Sequence, residues 1–98
     1  MNKKVSIILT TYNEALEIKE TINKINEFIP NAEIVLVDDN STDGTIEKAK
    51  STNNPNLICY SRKGRGLASA FLVGLINSSG SIVGWEDSNM SNIIKNYP

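Results

Sequence analysis

The chain has 98 residues, of which 40% are hydrophobic and 21% charged, a composition typical of one ordinary globular domain. Its 10 basic and 11 acidic residues give a net charge of −1, which argues against broad electrostatic binding to nucleic acid or to an anionic membrane surface. The absence of histidine excludes histidine general bases and histidine metal ligands.

A single cysteine, Cys59, allows no internal disulfide, so the cytoplasm is the expected compartment. No apolar run approaches the length of a membrane span. We therefore expect no transmembrane segment, and any association with the cytoplasmic face of a membrane would be made through partners.

Four short apolar runs predict four β-strands. They are Val5–Leu9, Ile34–Val37, Leu57–Tyr60 and Ser81–Trp85. The second run is apolar at consecutive positions, which is typical of a strand buried on both faces.

Apolar residues recur with helical spacing between these runs and predict three helices. The first covers residues 15–29 and ends before Pro30, the second begins near Thr45, and the third runs over residues 66–78.

Polar residues near the helix starts suggest caps. Asn13 is expected to cap the first helix, and Ser41 or Thr42 the second. Asp43 would favour the positive end of the second helix.

The alternation β-α-β-α-β-α-β predicts a Rossmann-like three-layer α/β/α fold, with a mainly parallel four-stranded sheet, formed as one domain over residues 1–98. Since parallel strands end at one rim, polar groups there converge on a ligand site. The four polar strand ends are Thr10–Glu14, Asp38–Asp39, Ser61–Arg65 and Glu86–Asn89.

The chemistry of this rim suits a nucleoside diphosphate. A carboxylate accepts the N–H of a base or a ribose hydroxyl, and Arg62, Lys63 or Arg65 can bind phosphates. Asp87 and Asn89 offer oxygens to a hard divalent cation, Mg²⁺ or Mn²⁺, with the diphosphate completing its ligands.

Each segment also has a simpler interpretation. Paired acids before Asn-Ser-Thr are common in turns and caps, and Asp87-Ser88-Asn89 resembles a solvated turn. The basic loop can be plain solvated surface. Gly64-x-Gly66 is a weak dinucleotide signature, because it follows the third strand and Ser69 replaces the third glycine.

Taken together, four segments resemble the nucleotide-binding half of the inverting family 2 glycosyltransferases with the GT-A fold, and among them dolichyl-phosphate mannose synthase-like enzymes. The match covers about residues 5–90 and leaves 91–98 as a tail without a predicted structure. Ser6–Glu14 is similar to a strand ending in P-T-Y-N-E, but with Thr10 where proline is usual, and Val37–Thr45 is similar to V-D-D-x-S-x-D-G-T. Gly66–Leu75 is similar to G-L-G-x-A-x-x-x-G-L, with Ala68 for the second glycine. The spacing from Gly80 to Asp87 matches the family's spacing from a glycine to the first acid of a D-x-D motif.

The resemblance implies sugar transfer, with inversion, from a UDP- or GDP-linked donor to an acceptor that the sequence does not identify. A metal ion would neutralise the leaving diphosphate. The implied roles are Thr10, Tyr12 and Glu14 in the nucleoside pocket, Asp38 and Asp39 facing the base, Arg65 near the nucleotide, and Asp87 with Asn89 at the metal and diphosphate. The sequence does not indicate which of the two adjacent acids makes the key hydrogen bond to the base.

Two departures from the family pattern weaken the catalytic prediction. Asn89 stands for the second acid of D-x-D, which lowers cation affinity. Family members continue for at least about another hundred residues beyond the position of Pro98, and that half carries the acceptor site and the general base. We therefore identify no catalytic residue, Asp87 being the best candidate, and expect activity to be weak or lost.

The alternative is a non-catalytic nucleotide-binding or assembly module. The fourth strand would present a bare outer edge, and bare edges pair readily. We expect a homo-oligomer that covers this edge and Trp85.

Overall fold

The computed structural model describes residues 4–63, 67–79 and 82–87. Its elements are β1 (Val5–Thr11), α1 (Ile18–Phe28), β2 (Glu33–Asp38), α2 (Thr45–Lys50), β3 (Leu57–Ser61), α3 (Leu67–Asn77) and β4 (Ile82–Asp87). None of the helices within these residues is long and apolar enough to cross a membrane.

The four strands form one sheet in the order β3-β2-β1-β4, and every neighbouring pair is parallel. This confirms the predicted parallel α/β architecture. All six residues of β2 are buried, as its uninterrupted apolar pattern predicts. Because the strands are parallel, their carboxyl ends share one rim, where β1 and β2 reach Thr11 and Asp38.

Each face of the sheet has its own apolar packing. On one face, alternate strand residues join α1 and α2 in a single buried cluster: Ile7, Leu9, Ile34, Leu36, Ile18, Ile22, Ile25, Ala32 and Ala49. On the other face, Val35 and Val37 pack with Tyr60 and with Val73 of α3. The helices therefore form outer layers around a central sheet, with α1 and α2 on one side and α3 on the other.

Helix α3 lies unusually close to β1 at Gly74. A Cβ atom added there would lie 3.1 Å from Ile8 Cγ1 and closer still to Ile8 Cγ2. Both residues are buried. The glycine in the G-L-G-x-A-x-x-x-G-L pattern thus allows the helix to sit directly on the central strand.

The predicted caps were wrong. Helix α1 begins at Ile18, three residues later than its apolar stripe suggests, and its cap residue Glu17 makes no side-chain cap hydrogen bond. At the start of α2, Gly44 is the cap residue, with φ of 88°. The backbone N–H of Thr45 is instead bound by Oδ1 of Asp43, at 3.1 Å.

A buried carboxylate lies at the opposite end of the sheet from the rim. Glu33 begins β2 and is 8% exposed. It accepts hydrogen bonds from the Ser6 hydroxyl (2.7 Å), from the Ser79 backbone N–H (2.8 Å) and from the Ser79 hydroxyl (3.0 Å). Burial by itself raises the pKa of Glu33, but the hydrogen bonds from Ser79 and Ser6, with the charge of Lys4, lower the pKa below its ordinary value of 4.5.

We expect this carboxylate to make stability depend on pH. Because the pKa of Glu33 is lowered in the folded state, its stabilising effect is present above the pKa of the unfolded chain and is lost as the pH falls through the folded value. Urea unfolding between neutral and acidic pH should show Glu33→Gln with a flatter acid limb than the wild type. Glu27→Gln, which changes an exposed carboxylate on α1, should leave that limb unchanged. Equal slopes for the wild type and Glu33→Gln would contradict this assignment.

Candidate nucleotide-binding site

The two adjacent acids at the end of β2 lie on opposite faces of the sheet. Side chains alternate along a strand. Asp38 follows Leu36 at the same face, so it lies on the side of α1 and α2. Asp39 follows Val37 in the same way, so it lies on the side of α3.

Asp38 is turned inward and is fully engaged with the protein. It is 1% exposed. Its Oδ1 accepts the hydroxyl hydrogens of Thr11 and Ser41, both at 2.6 Å, and its Oδ2 accepts the Ser41 backbone N–H at 2.8 Å. The expectation that both acids face the base therefore needs revision, because the carboxylate of Asp38 joins the ends of β1 and β2 from within.

The rest of the V-D-D-x-S-x-D-G-T segment fastens the loop after β1 to the loop after β2. Four hydrogen bonds cross between these loops: Asn13 N to Ser41 Oγ (2.7 Å), Thr42 N to Asn13 Oδ1 (2.9 Å), Ala15 N to Asp43 Oδ2 (3.0 Å) and Glu14 N to Thr45 Oγ1 (2.9 Å). The Thr45 hydroxyl and the Ala15 N–H together lower the pKa of Asp43. Most polar side chains of the segment thus hold the rim together.

On the other face, Asp39 is fixed by an ion pair with Arg62. The Nε atom of Arg62 lies 2.8 Å from Oδ1 of Asp39, and the two side chains retain 17% and 24% exposure. Both atoms are buried, and the contact is a close ion pair rather than an aligned hydrogen bond. Arg62 also donates from Nη1 to the hydroxyl of Ser69 in α3, at 2.9 Å.

Thr10 belongs to this same face. It follows Ile8, which contacts α3, and it pairs in register with Val37 on one side and with Asp87 on the other. Thr10 is 4% exposed, and in the part of the chain that the structure describes its hydroxyl oxygen is buried without a hydrogen-bond partner. A buried hydroxyl without a partner is uncommon and is consistent with a position beside a ligand.

The remaining predicted site residues are only partly placed. Tyr12 lies on the rim with 62% exposure, and its backbone N–H donates to Glu14 Oε2 at 3.4 Å. For Asp87 the structure describes the strand position beside Thr10. Arg65 and Asn89 lie outside the described residues, so their predicted roles stay predictions.

Sequence reasoning missed the partnership of Asp39, Arg62 and Ser69. It grouped Arg62 with the loop cations that could bind phosphate. The available signal was the position of Arg62, two residues after Tyr60, which places it on the α3 face of β3 next to Asp39. Ser69 carried no comparable signal, because its contact depends on where α3 begins.

The described residues contain no group of three or more carboxylate, thiol or imidazole side chains that could hold a metal ion. Asp87 ends β4 at the rim, in register beside Thr10. A carboxylate at this strand position is compatible with a cation that takes its other ligands from phosphate oxygens and water.

Comparison with known proteins identifies the class. The sequence profile described as glycosyl transferase family 2 matches residues 6–89, so the chain belongs to this family. The match agrees with the parallel sheet and with the acidic rim at its carboxyl end.

Individual relatives support the same conclusion. A dolichol-phosphate mannosyltransferase of Pyrococcus furiosus is 40% identical over 83 residues, which cover 81% of this chain and 24% of that protein. A mannosyltransferase of Pyrobaculum calidifontis, solved in complex with GDP-Man and Mn²⁺, superposes with a TM-score of 0.80 at 32% identity, covering 91% of this chain and 28% of that one. A glucosyl-3-phosphoglycerate synthase of Mycobacterium tuberculosis, solved with Mn²⁺ and UDP, gives a TM-score of 0.75 at 26% identity over 89% of this chain and 34% of that one.

This chain spans about a quarter to a third of the length of these relatives. The predicted family, the GT-A-type fold and the likeness to dolichyl-phosphate mannose synthases are confirmed.

Proposed function

We propose that this chain binds a nucleoside diphosphate sugar, together with a divalent cation, on the α3 side of the rim. The observation that carries the proposal is the placement of Asp39. This carboxylate is held at the end of a central strand, is partly exposed, and lies on the same face as the Thr10 hydroxyl, which has no hydrogen-bond partner among the residues that the structure describes.

The strand order suggests how the ligand lies. Asp39 follows β2, Thr10 ends β1, and Asp87 ends β4, in that spatial order across the sheet. The base would lie at Asp39, the ribose near Thr10, and the diphosphate with its cation near Asp87 and Asn89. Tyr12 and Glu14 would border the nucleoside, and Arg65 would lie near the nucleotide.

A carboxylate at the base subsite selects bases by their donors. Uracil and guanine each carry a ring N–H that a carboxylate oxygen can accept, whereas cytosine and adenine present an acceptor nitrogen at the corresponding position. The donor would therefore be linked to UDP or GDP. The relatives solved with GDP-Man and with UDP are consistent with this choice.

For the reaction, we propose transfer of the sugar to an acceptor with inversion, in the longer protein context that the relatives represent. The cation would supply positive charge to the leaving diphosphate. Within this chain, Asp39 and Thr10 would orient the nucleoside, and Asp87 would help to hold the cation near the diphosphate. The acceptor is not defined by these residues.

Calorimetric titration tests the binding proposal. In the presence of Mn²⁺, UDP or GDP should bind at least about tenfold more tightly than CDP, because CDP lacks the ring N–H and confronts the carboxylate with a lone pair. Asp39→Asn should reduce that preference, and Lys48→Met should serve as a control, because it removes an exposed cation from α2 on the opposite face of the sheet. No binding of any nucleoside diphosphate at millimolar concentration would contradict the proposal.

The second candidate is a non-catalytic nucleotide-binding or assembly module, which the amide at Asn89 favours because it removes a charge from the cation site. A turnover assay with a panel of nucleotide-sugars separates the two. Release of nucleoside diphosphate that Asp87→Ala abolishes would reject the second candidate. The single domain over residues 1–98, the homo-oligomer through β4 and Trp85, and the cytoplasmic location stay predictions.

A further inference from the structure

We infer that Arg62 is a positioning residue for base recognition, which holds Asp39 in the orientation that reads the base, and that it is not a phosphate ligand. The inference rests on the proposed nucleotide binding. It assigns to Arg62 a task that neither the basic character of its loop nor the family signature specifies.

The first support is the way Arg62 is itself held. Its backbone N–H donates to the backbone oxygen of Asp38 at 2.9 Å. Its Nη1 donates to the Ser69 hydroxyl on α3 at 2.9 Å. The main chain of Arg62 is thereby fixed to β2 and its guanidinium to α3, and the side chain is only 17% exposed.

The second support is the part of Asp39 that Arg62 contacts. Nε lies 2.8 Å from Oδ1, and both atoms are buried. The exposed quarter of the Asp39 side chain must therefore come from its other atoms, which include Oδ2. With Oδ1 held by Arg62, Oδ2 would be the oxygen that accepts a hydrogen bond from a donor arriving at the rim.

The planar guanidinium explains why this task suits arginine. Its several donors diverge in fixed directions, so one group can hold Ser69 and Asp39 at once. A lysine would keep the positive charge but would supply one flexible ammonium. To reach a phosphate, the guanidinium would have to leave a partly buried ion pair and the Ser69 hydroxyl together, which disfavours a phosphate role.

Calorimetry of UDP, GDP and CDP in the presence of Mn²⁺ distinguishes the two roles. If Arg62 positions Asp39, Arg62→Met should weaken binding of the preferred nucleotide about tenfold while leaving CDP nearly unchanged, since hydrogen bonds to charged groups are worth about this much. The affinity of Arg62→Lys for the preferred nucleotide should fall between the affinities of the wild type and of Arg62→Met. Ser69→Ala removes the anchor on α3 and should reduce the preference about threefold, in keeping with one neutral acceptor. Lys48→Met provides the control, because it removes an exposed cation from α2, on the opposite side of the sheet from Arg62.

The outcomes separate this inference from the proposed function. If Arg62→Met weakened the binding of all three nucleotides equally, Arg62 would be a phosphate ligand and the inference would be overturned. Unchanged binding of all three nucleotides by Arg62→Met would also overturn it. Should Arg62→Met fail to fold, an unchanged preference in Ser69→Ala and Arg62→Lys would overturn it instead. Absence of nucleotide binding by the wild type would overturn the proposed function and the inference with it.

Discussion

Replacing Asp38 by alanine is expected to lower the free energy of unfolding by about 3 kcal/mol or more, one of the two largest effects we predict. The carboxylate is buried and accepts three hydrogen bonds, from the Thr11 hydroxyl and from the hydroxyl and backbone N–H of Ser41. Its removal leaves the buried Thr11 hydroxyl and the two partly buried Ser41 donors without their acceptor, and each unsatisfied buried group costs about 1–3 kcal/mol. Urea unfolding followed by circular dichroism measures the loss.

A graded pair of variants controls for this effect. Thr11→Val removes one of the three hydrogen bonds at nearly constant shape and should cost about 1–2 kcal/mol. Asp39→Asn alters the neighbouring, partly exposed acid and should cost about 1 kcal/mol or less. If Asp38→Ala and Asp39→Asn were equally destabilising, the structural role of Asp38 would be wrong.

Gly74→Ala should also destabilise the protein, by about 1–3 kcal/mol, although alanine is the better helix former. In an exposed helix the change would gain about 0.5–1 kcal/mol. Here the new Cβ would meet the branched side chain of Ile8, with Cγ1 at 3.1 Å and Cγ2 nearer still. Ile8 is fully buried and cannot move aside freely, so the cost of overpacking outweighs the gain in propensity.

A double-mutant cycle isolates this contact. An Ile8→Ala background removes the two Cγ contacts and leaves only the Cβ atom of residue 8, at 3.2 Å, so Gly74→Ala should cost less there than in the wild type. Ile76→Ala changes a residue of the same helix that is 79% exposed and should alter stability by less than about 0.5 kcal/mol. An equal cost in both backgrounds would mean that the helix and strand do not meet at this point.

The sheet could be predicted from the sequence because its signals are local. Ile34–Val37 is apolar without interruption, and β2 is buried throughout. Alternating strands and helices imply right-handed parallel crossovers, which bring the polar strand ends to one rim. That step needs only the order of the elements, and it correctly gathers Thr10, Asp38 and Asp39 at one edge.

The different positions of Asp38 and Asp39 could be predicted from the sequence only in part. Side chains alternate along a strand, so adjacent residues lie on opposite faces of the sheet. The sequence alone therefore indicates that Asp38 and Asp39 lie on opposite faces. It does not say which helix covers which side at the rim. The distinction became visible only through Thr11 and Ser41, which enclose Asp38, and through Arg62, which leaves part of Asp39 exposed.

Other contacts depend on residues far apart in the chain and had no local signal. Glu33 begins a strand, a place where an exposed charge is ordinary, yet Ser6 and Ser79 enclose it. Asn13 resembles a helix cap, but its side chain binds Thr42 instead. In both cases hydrogen bonds between residues far apart in the chain determine what the side chain contacts, and the local sequence does not indicate them.

The central claim is that Asp38 builds the rim while Asp39 receives the nucleotide. Urea unfolding with and without nucleotide, in the presence of Mn²⁺, tests both halves at once, because a ligand at about ten times its Kd raises the free energy of unfolding by about 1.4 kcal/mol. We expect Asp38→Ala to unfold at a lower urea concentration than the wild type and still to be stabilised by UDP or GDP. We expect Asp39→Asn to unfold near the wild-type midpoint and to lose that stabilisation. Full stabilisation of Asp39→Asn by the nucleotide would contradict the account.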